Sequence, residues 1–119
     1  MASGPILVSG ANGNLGRRLL HRLAGTHALR AVVRSERAAL AVRSAGALPA
    51  PEILVLDYAD EEGLAAAARG CTHAVHFVGI LKESRTSRYF DAHERACEAL
   101  ARAADAAGLR RIVYPSILG

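Results

Sequence analysis

Residues 5–20, Pro-Ile-Leu-Val-Ser-Gly-Ala-Asn-Gly-Asn-Leu-Gly-Arg-Arg-Leu-Leu, constrain the fold of this chain more than any other stretch. A short apolar run enters a turn that carries Gly10, Gly13 and Gly16, and an amphipathic segment leaves it. A strand that feeds a glycine turn opening a helix leaves backbone N–H groups pointing outward at the positive end of the helix dipole, a setting suited to a pyrophosphate. The spacing is G-x-x-G-x-x-G, not the G-x-G-x-x-G of the tightest dinucleotide fingerprint, but its place between a strand and a helix raises its weight. Gly10 is expected to make the turn, Gly13 to let the backbone reach the ligand, and Gly16 to let the helix pack closely. The alternative is that the glycines only shorten a strand-to-helix turn.

Beyond this stretch the pattern alternates. Ile6–Val8 is an unbroken apolar strand of the kind covered on both faces in parallel sheets. The first helix has apolar Leu15, Leu19, Leu20 and Leu23 at helical spacing, with Arg17, Arg18, His21 and Arg22 on the other side and Gly25 as its close. A second strand is predicted over Ala28–Val33, ending in Arg34, and Ser35 is a candidate N-cap for a helix over Glu36–Ala45 that Gly46 stops. Ile53–Leu56 reads as a third strand ending at Asp57, and Asp60 caps a short helix that Gly70 ends. Ala74–Val78 is a fourth strand, followed by a polar loop over Gly79–Ser87. A long helix with Ala92, Ala96, Leu100, Ala103 and Ala107 on one face runs to Gly108, and a fifth strand begins over Ile112–Tyr114. This rhythm specifies right-handed βαβ crossovers. The predicted fold is α/β, a Rossmann-like three-layer sandwich with a parallel sheet of about five strands in the order 3-2-1-4-5. Ligands of such sheets sit beyond the carboxyl ends of the strands where the order reverses, here between the first and fourth strands.

With 119 residues the chain is expected to be a single domain over 1–119. No apolar run is long enough to span a bilayer and the start does not resemble a signal peptide, so a cytoplasmic protein without membrane insertion is expected. Cys71 and Cys97 have no paired spacing and are expected as buried thiols. The net charge of +4 comes almost wholly from arginine, Lys82 being the one lysine. The arginines are dispersed, which argues against a nucleic-acid footprint and leaves anionic ligands welcome.

The candidate site residues follow the strand ends. A dinucleotide site that prefers NAD places an acidic residue after the second strand, and this chain has Arg34 there. A guanidinium grips a 2′-phosphate through forked hydrogen bonds, so NADP(H) is the expected cofactor, with NAD the second choice and a solvated helix-start arginine the alternative. Asp57 is a candidate partner for the adenine amino group with Tyr58 packing nearby, or an ordinary turn former. His73 and His76 are three apart on a strand and so point to opposite faces, which argues against a metal site with Cys71. His21 and His27 read as solvated, and His93 as a polar packing residue near the crevice. Ser116 stands just past the fifth strand, either facing a substrate carbonyl or simply ending a strand.

Together SGANGNLG, VVRS, LDYAD, AVHFVGIL and YFDAHERACEALARAADAAGLRRIVYPSILG resemble the nucleotide-binding half of an atypical or extended short-chain dehydrogenase/reductase over essentially the whole chain. Within that superfamily the VGILKES loop and the position of His93 most resemble bacterial relatives of the NAD(P)H-binding accessory subunit of respiratory complex I. The resemblance implies that Gly10, Gly13 and Gly16 hold the pyrophosphate and Arg34 the 2′-phosphate, with Asn12, Asn14 and Leu15 of the same turn also among the cofactor-binding residues. It also implies Asp57 at the adenine, Gly79 at the nicotinamide ribose and Ser116 as the active-site serine, with Tyr58 and Val78 as further cofactor-binding residues. Asn12 replaces a common threonine and His93 a common asparagine.

The catalytic Tyr-x-x-x-Lys pair of that superfamily, in which the lysine lowers the tyrosine pKa, has no counterpart: four residues before Lys82 stands Val78. A cofactor-binding module, inactive alone and shortened relative to the family, is therefore expected. The rivals are the cofactor half of an NAD(P)-dependent reductase or nucleotide-sugar epimerase/dehydratase, and an assembly protein that has lost its ligand. An unpaired apolar edge over Arg111–Ile117 leads to the expectation of a homo-oligomer or of association through the fifth strand.

Overall fold

The computed structural model describes residues 4–77 and 87–113, and of 87–95 the backbone alone. Strands β1 (Ile6–Ser9), β2 (Leu29–Val33), β3 (Glu52–Val55), β4 (His73–His76) and β5 (Arg111–Val113) alternate with helices α1 (Asn14–Leu23), α2 (Glu36–Ala45), α3 (Glu61–Ala68) and α4 (Ser87–Ala107). They form one sheet in the order β3-β2-β1-β4-β5. Every pairing is parallel, so the carboxyl ends of the strands share one edge of the layer. The Rossmann-like order 3-2-1-4-5 expected from the alternation is the order observed.

Burial explains the apolar residues of the central strands. Alternate residues of a strand point to opposite faces. Val8, Ala31 and Val33 join Leu20, Ala39 and Val42 of α1 and α2 in one core cluster. Leu7, Val32 and Ala74 join Leu64, Ala67, Leu100 and Ala103 of α3 and α4 in another. Leu7, Leu20, Leu64 and Leu100 are fully buried, and each contributes roughly 1.5–3 kcal/mol by leaving water. β3, on the sheet edge, is only partly covered, and Val55 at its end is exposed. Its apolar run reflects an edge strand, not a covered one.

Local chemistry sets the element ends. Ser35 Oγ accepts from the Ala38 N–H at 3.0 Å, and Asp60 Oδ1 from the Gly63 N–H at 3.0 Å, as the cap positions predict. Gly46, Gly70 and Gly108 follow α2, α3 and α4 with positive φ. At the far end of α3, Arg30 reaches from β2 to the carbonyls of Ala67 and Arg69 while its Nε pairs with Glu52 at 3.0 Å.

Three expectations are corrected. Gly25 does not close the first helix: α1 ends at Leu23, where the N–H groups of Thr26 and His27 both converge on the Leu23 carbonyl, a turn that needs no left-handed residue. Leu15 does not join the apolar face of α1 but is exposed, because Gly16 is the residue turned inward, onto the backbone of Gly10 and Ala11. Cys97 is half-buried, whereas Cys71 is buried as expected. Strand bounds shift by a residue or so, β3, β4 and β5 each starting one position earlier than the apolar run suggests and β4 ending at His76, before Phe77. The stretch Val78–Thr86 before α4, and the chain after Val113, lie outside the described residues.

Candidate functional site

The site is built from the carboxyl end of β1. Gly10 follows Ser9 with φ of 74°, the left-handed backbone that glycine adopts without strain, and its N–H still donates to the Val32 carbonyl at 3.1 Å. The chain then doubles back: the Gly13 N–H donates to the Gly10 carbonyl at 3.3 Å, and Gly13 is the N-cap of α1 with φ −74° and ψ 171°. Gly16 lies against this turn. A Cβ on Gly16 would stand 2.7 Å from the Gly10 carbonyl oxygen and 2.8 Å from Ala11 Cα, closer than packing allows. A Cβ on Gly13 would meet only the Gly10 oxygen, at 3.7 Å. Gly10 and Gly16 are thus required by the turn itself, whereas Gly13 is exposed and borders open space.

The opening of α1 differs from those of α2 and α3. Its first intrahelical bond runs from the Arg17 N–H to the Gly13 carbonyl at 2.9 Å, so the amides of Asn14, Leu15 and Gly16 have no acceptor within the helix. No side chain caps it and its first turn carries no acid, whereas α2 has Ser35 with Glu36, and α3 has Asp60 with Glu61 and Glu62. The positive end of the α1 dipole faces outward at the crevice with Asn14 and Leu15 exposed beside it. Asn12, half-buried in the turn, stands between Ala11 and Gly13. The donors and the open face fit the pyrophosphate of a dinucleotide.

A second cluster lies at the ends of β2 and β3. Arg34 is exposed, and its Cζ lies 5.9 Å from the centroid of the Tyr58 ring, within cation–π reach. Tyr58 packs against the core cluster beneath α3 and α4. Burial pushes its phenol pKa up, and the Arg34 charge and a hydrogen bond with the Gly10 backbone pull it back in part. Tyr58 therefore stands near both the glycine turn and Arg34. Asp57 is exposed and forms the turn that delivers Tyr58: Oδ1 accepts from the Ala59 N–H at 2.8 Å, and the Asp57 carbonyl accepts from the Asp60 N–H at 3.0 Å. The turn-former reading of Asp57 is realised through one of its two carboxylate oxygens.

At the floor between β1 and β4 is a polar pair that the linear pattern did not reveal. Ser9 and His76 are register partners, both buried, and Ser9 Oγ and His76 Nδ1 share a hydrogen bond of 2.7 Å. Each is the last residue of its strand, and that common placement is the signal that pairs them. His73, on the opposite face, pairs instead with Thr72. His21 and His27 are exposed, as their polar surroundings suggest. Among the described residues no three His, Cys, Asp or Glu side chains gather as a metal site, and no helix is long and apolar enough to cross a membrane. Val78, Gly79 and Ser116 lie outside the described residues, as does the side chain of His93.

A family model described as NAD(P)H-binding matches residues 10–119. No curated protein matches the chain. Among solved structures, uronate dehydrogenase from Agrobacterium tumefaciens, as a mutant complexed with NAD, is 31% identical with a TM-score of 0.76, over 97% of this chain and 41% of that one. The NADPH-dependent quinone oxidoreductase from Escherichia coli, complexed with NADPH, is 28% identical with a TM-score of 0.68, over 95% of this chain and 37% of that one. The Bordetella bronchiseptica enzyme WbmG, in complex with NAD and UDP, shares the fold at 19% identity and a TM-score of 0.74, over 95% of this chain and 37% of that one. The chain thus spans about two fifths of the length of these neighbours.

Proposed function

The chain belongs to the NAD(P)H-binding family, and from that premise we propose that it binds NADP(H) in preference to NAD(H), as a cofactor-binding module. The observation that carries the binding mode is the opening of α1, which has unfilled amide donors, no capping side chain and no acid where α2 and α3 have both. Gly10, Asn12, Gly13, Asn14, Leu15 and Gly16 cradle the pyrophosphate, Asp57 and Tyr58 border the adenine, and Val78 and Gly79 meet the nicotinamide ribose. Arg34 takes the 2′-phosphate. It is the cation at the end of β2, where a carboxylate favouring the ribose 2′-hydroxyl would otherwise stand.

A second reading is favoured by the length relation to the neighbours: the chain is the cofactor half of an NAD(P)-dependent reductase, dehydrogenase or nucleotide-sugar epimerase, with Ser116 facing the substrate. The finer placement beside bacterial relatives of the complex I accessory subunit rests on the VGILKES loop and His93. A cytoplasmic location and self-association through β5 complete the proposal.

Thermal denaturation with NADPH, NADH or neither tests it. NADPH at about 100 times its dissociation constant raises stability by about 2.7 kcal/mol, and NADH at equal concentration by less. Arg34→Ala abolishes the difference. A shift with neither nucleotide overturns cofactor binding, and an unchanged NADPH affinity in Arg34→Ala overturns the 2′-phosphate assignment. Under the first reading NADPH oxidation with carbonyl substrates stays at background.

A further inference from the structure

We propose that Tyr58 is a positioning residue for nucleotide selectivity, its ring holding the Arg34 guanidinium at the mouth of the crevice where the 2′-phosphate of NADP(H) docks. The inference rests on the reading that Arg34 contacts that phosphate and extends it to a residue that need not touch the phosphate itself.

The argument starts from the unequal anchoring of the two side chains. Arg34 is exposed, between the end of β2 and the Ser35 cap of α2, and a long side chain at such a place samples many rotamers. Tyr58 is anchored from two directions. The Asp57 turn closes around it through Ala59 and Asp60, and its ring packs on the core cluster beneath α3 and α4. A guanidinium 5.9 Å above the centroid of so anchored a ring has a preferred location before any ligand arrives. That preorganisation lowers the ordering cost of gripping a phosphate, which is the cost that limits binding by flexible arginines. NADH has no 2′-phosphate, so the benefit falls on NADPH alone and is read as a ratio of affinities.

The experiment measures dissociation constants of NADPH and NADH, by nucleotide fluorescence, for the wild type, Arg34→Ala, Tyr58→Leu and Tyr58→Phe. Tyr58→Leu lowers the NADPH-over-NADH ratio by about two- to fivefold, the size of an exposed cation–π contact. Tyr58→Phe, which keeps the ring, retains the ratio, and adding Tyr58→Leu to Arg34→Ala changes the ratio no further. If Tyr58→Leu does not fold, Tyr58→Met, flexible and of similar reach, replaces it. A wild-type preference for NADPH that survives Tyr58→Leu, or one lost equally in Tyr58→Phe, overturns the positioning role and leaves the Arg34 assignment standing. A wild type with no preference, or a preference that survives Arg34→Ala, overturns the 2′-phosphate reading and the positioning role with it.

Discussion

Gly16 is the residue at which this site is least tolerant of change. Its missing Cβ is what lets α1 start against the Gly10 turn, since the nearest atoms are backbone and cannot rotate aside. Gly16→Ala is expected to cost about 1–3 kcal/mol through overpacking and to weaken NADPH binding by displacing the α1 amides, as urea denaturation and nucleotide titration would show. Wild-type stability and affinity in Gly16→Ala would refute the close-packing role. Of the three glycine roles read from the spacing, those of Gly10 and Gly16 are visible as a positive φ and a forbidden Cβ. Glycine reports its own conformational need in the sequence. The Ser9–His76 and Arg34–Tyr58 contacts were not legible there, because each joins residues far apart in the chain whose meeting depends on strand register.

Among the elements, the helix starts were the most legible, because caps act within three or four residues of the chain. Ser35 and Asp60 cap as their types and positions predict. α1 departs from that rule, and under the proposed binding mode the departure serves the ligand: a capping side chain would occupy the amides that an anion needs. Gly13→Asp puts this to the test. The backbone at Gly13 suits a cap residue and a Cβ there has room. The substitution is expected to leave the chain as stable as the wild type or more so, by up to about 1 kcal/mol, while reducing NADPH affinity at least tenfold through capping and charge repulsion. Unaltered NADPH binding in a stably folded Gly13→Asp chain would remove the α1 opening from the site. Strand ends were less legible, since pairing with a neighbour, not composition, decides where a strand begins; hence the one-residue offsets at β3 and β5.

At the scale of the whole molecule, β5 pairs with β4 on one side, and among the described residues no strand covers its other edge, where Val113 is exposed. Such an edge is a template for a further strand. Light scattering at high protein concentration is expected to show dimers or larger species, with Val113→Lys shifting the population towards monomer; a monomer at all concentrations would contradict association through β5. The alternation of apolar runs and amphipathic segments was enough to determine the three-layer α/β architecture and its strand order, because crossover handedness and burial of both sheet faces leave few other solutions. The glycine turn and Arg34, local in sequence, likewise pointed to a dinucleotide. Only the tertiary structure decided that Leu15 faces solvent, that Ser9 meets His76, and that Tyr58 lies beneath Arg34. Those facts depend on which strands become neighbours and in what register, a long-range outcome that the order of residues along the chain does not display.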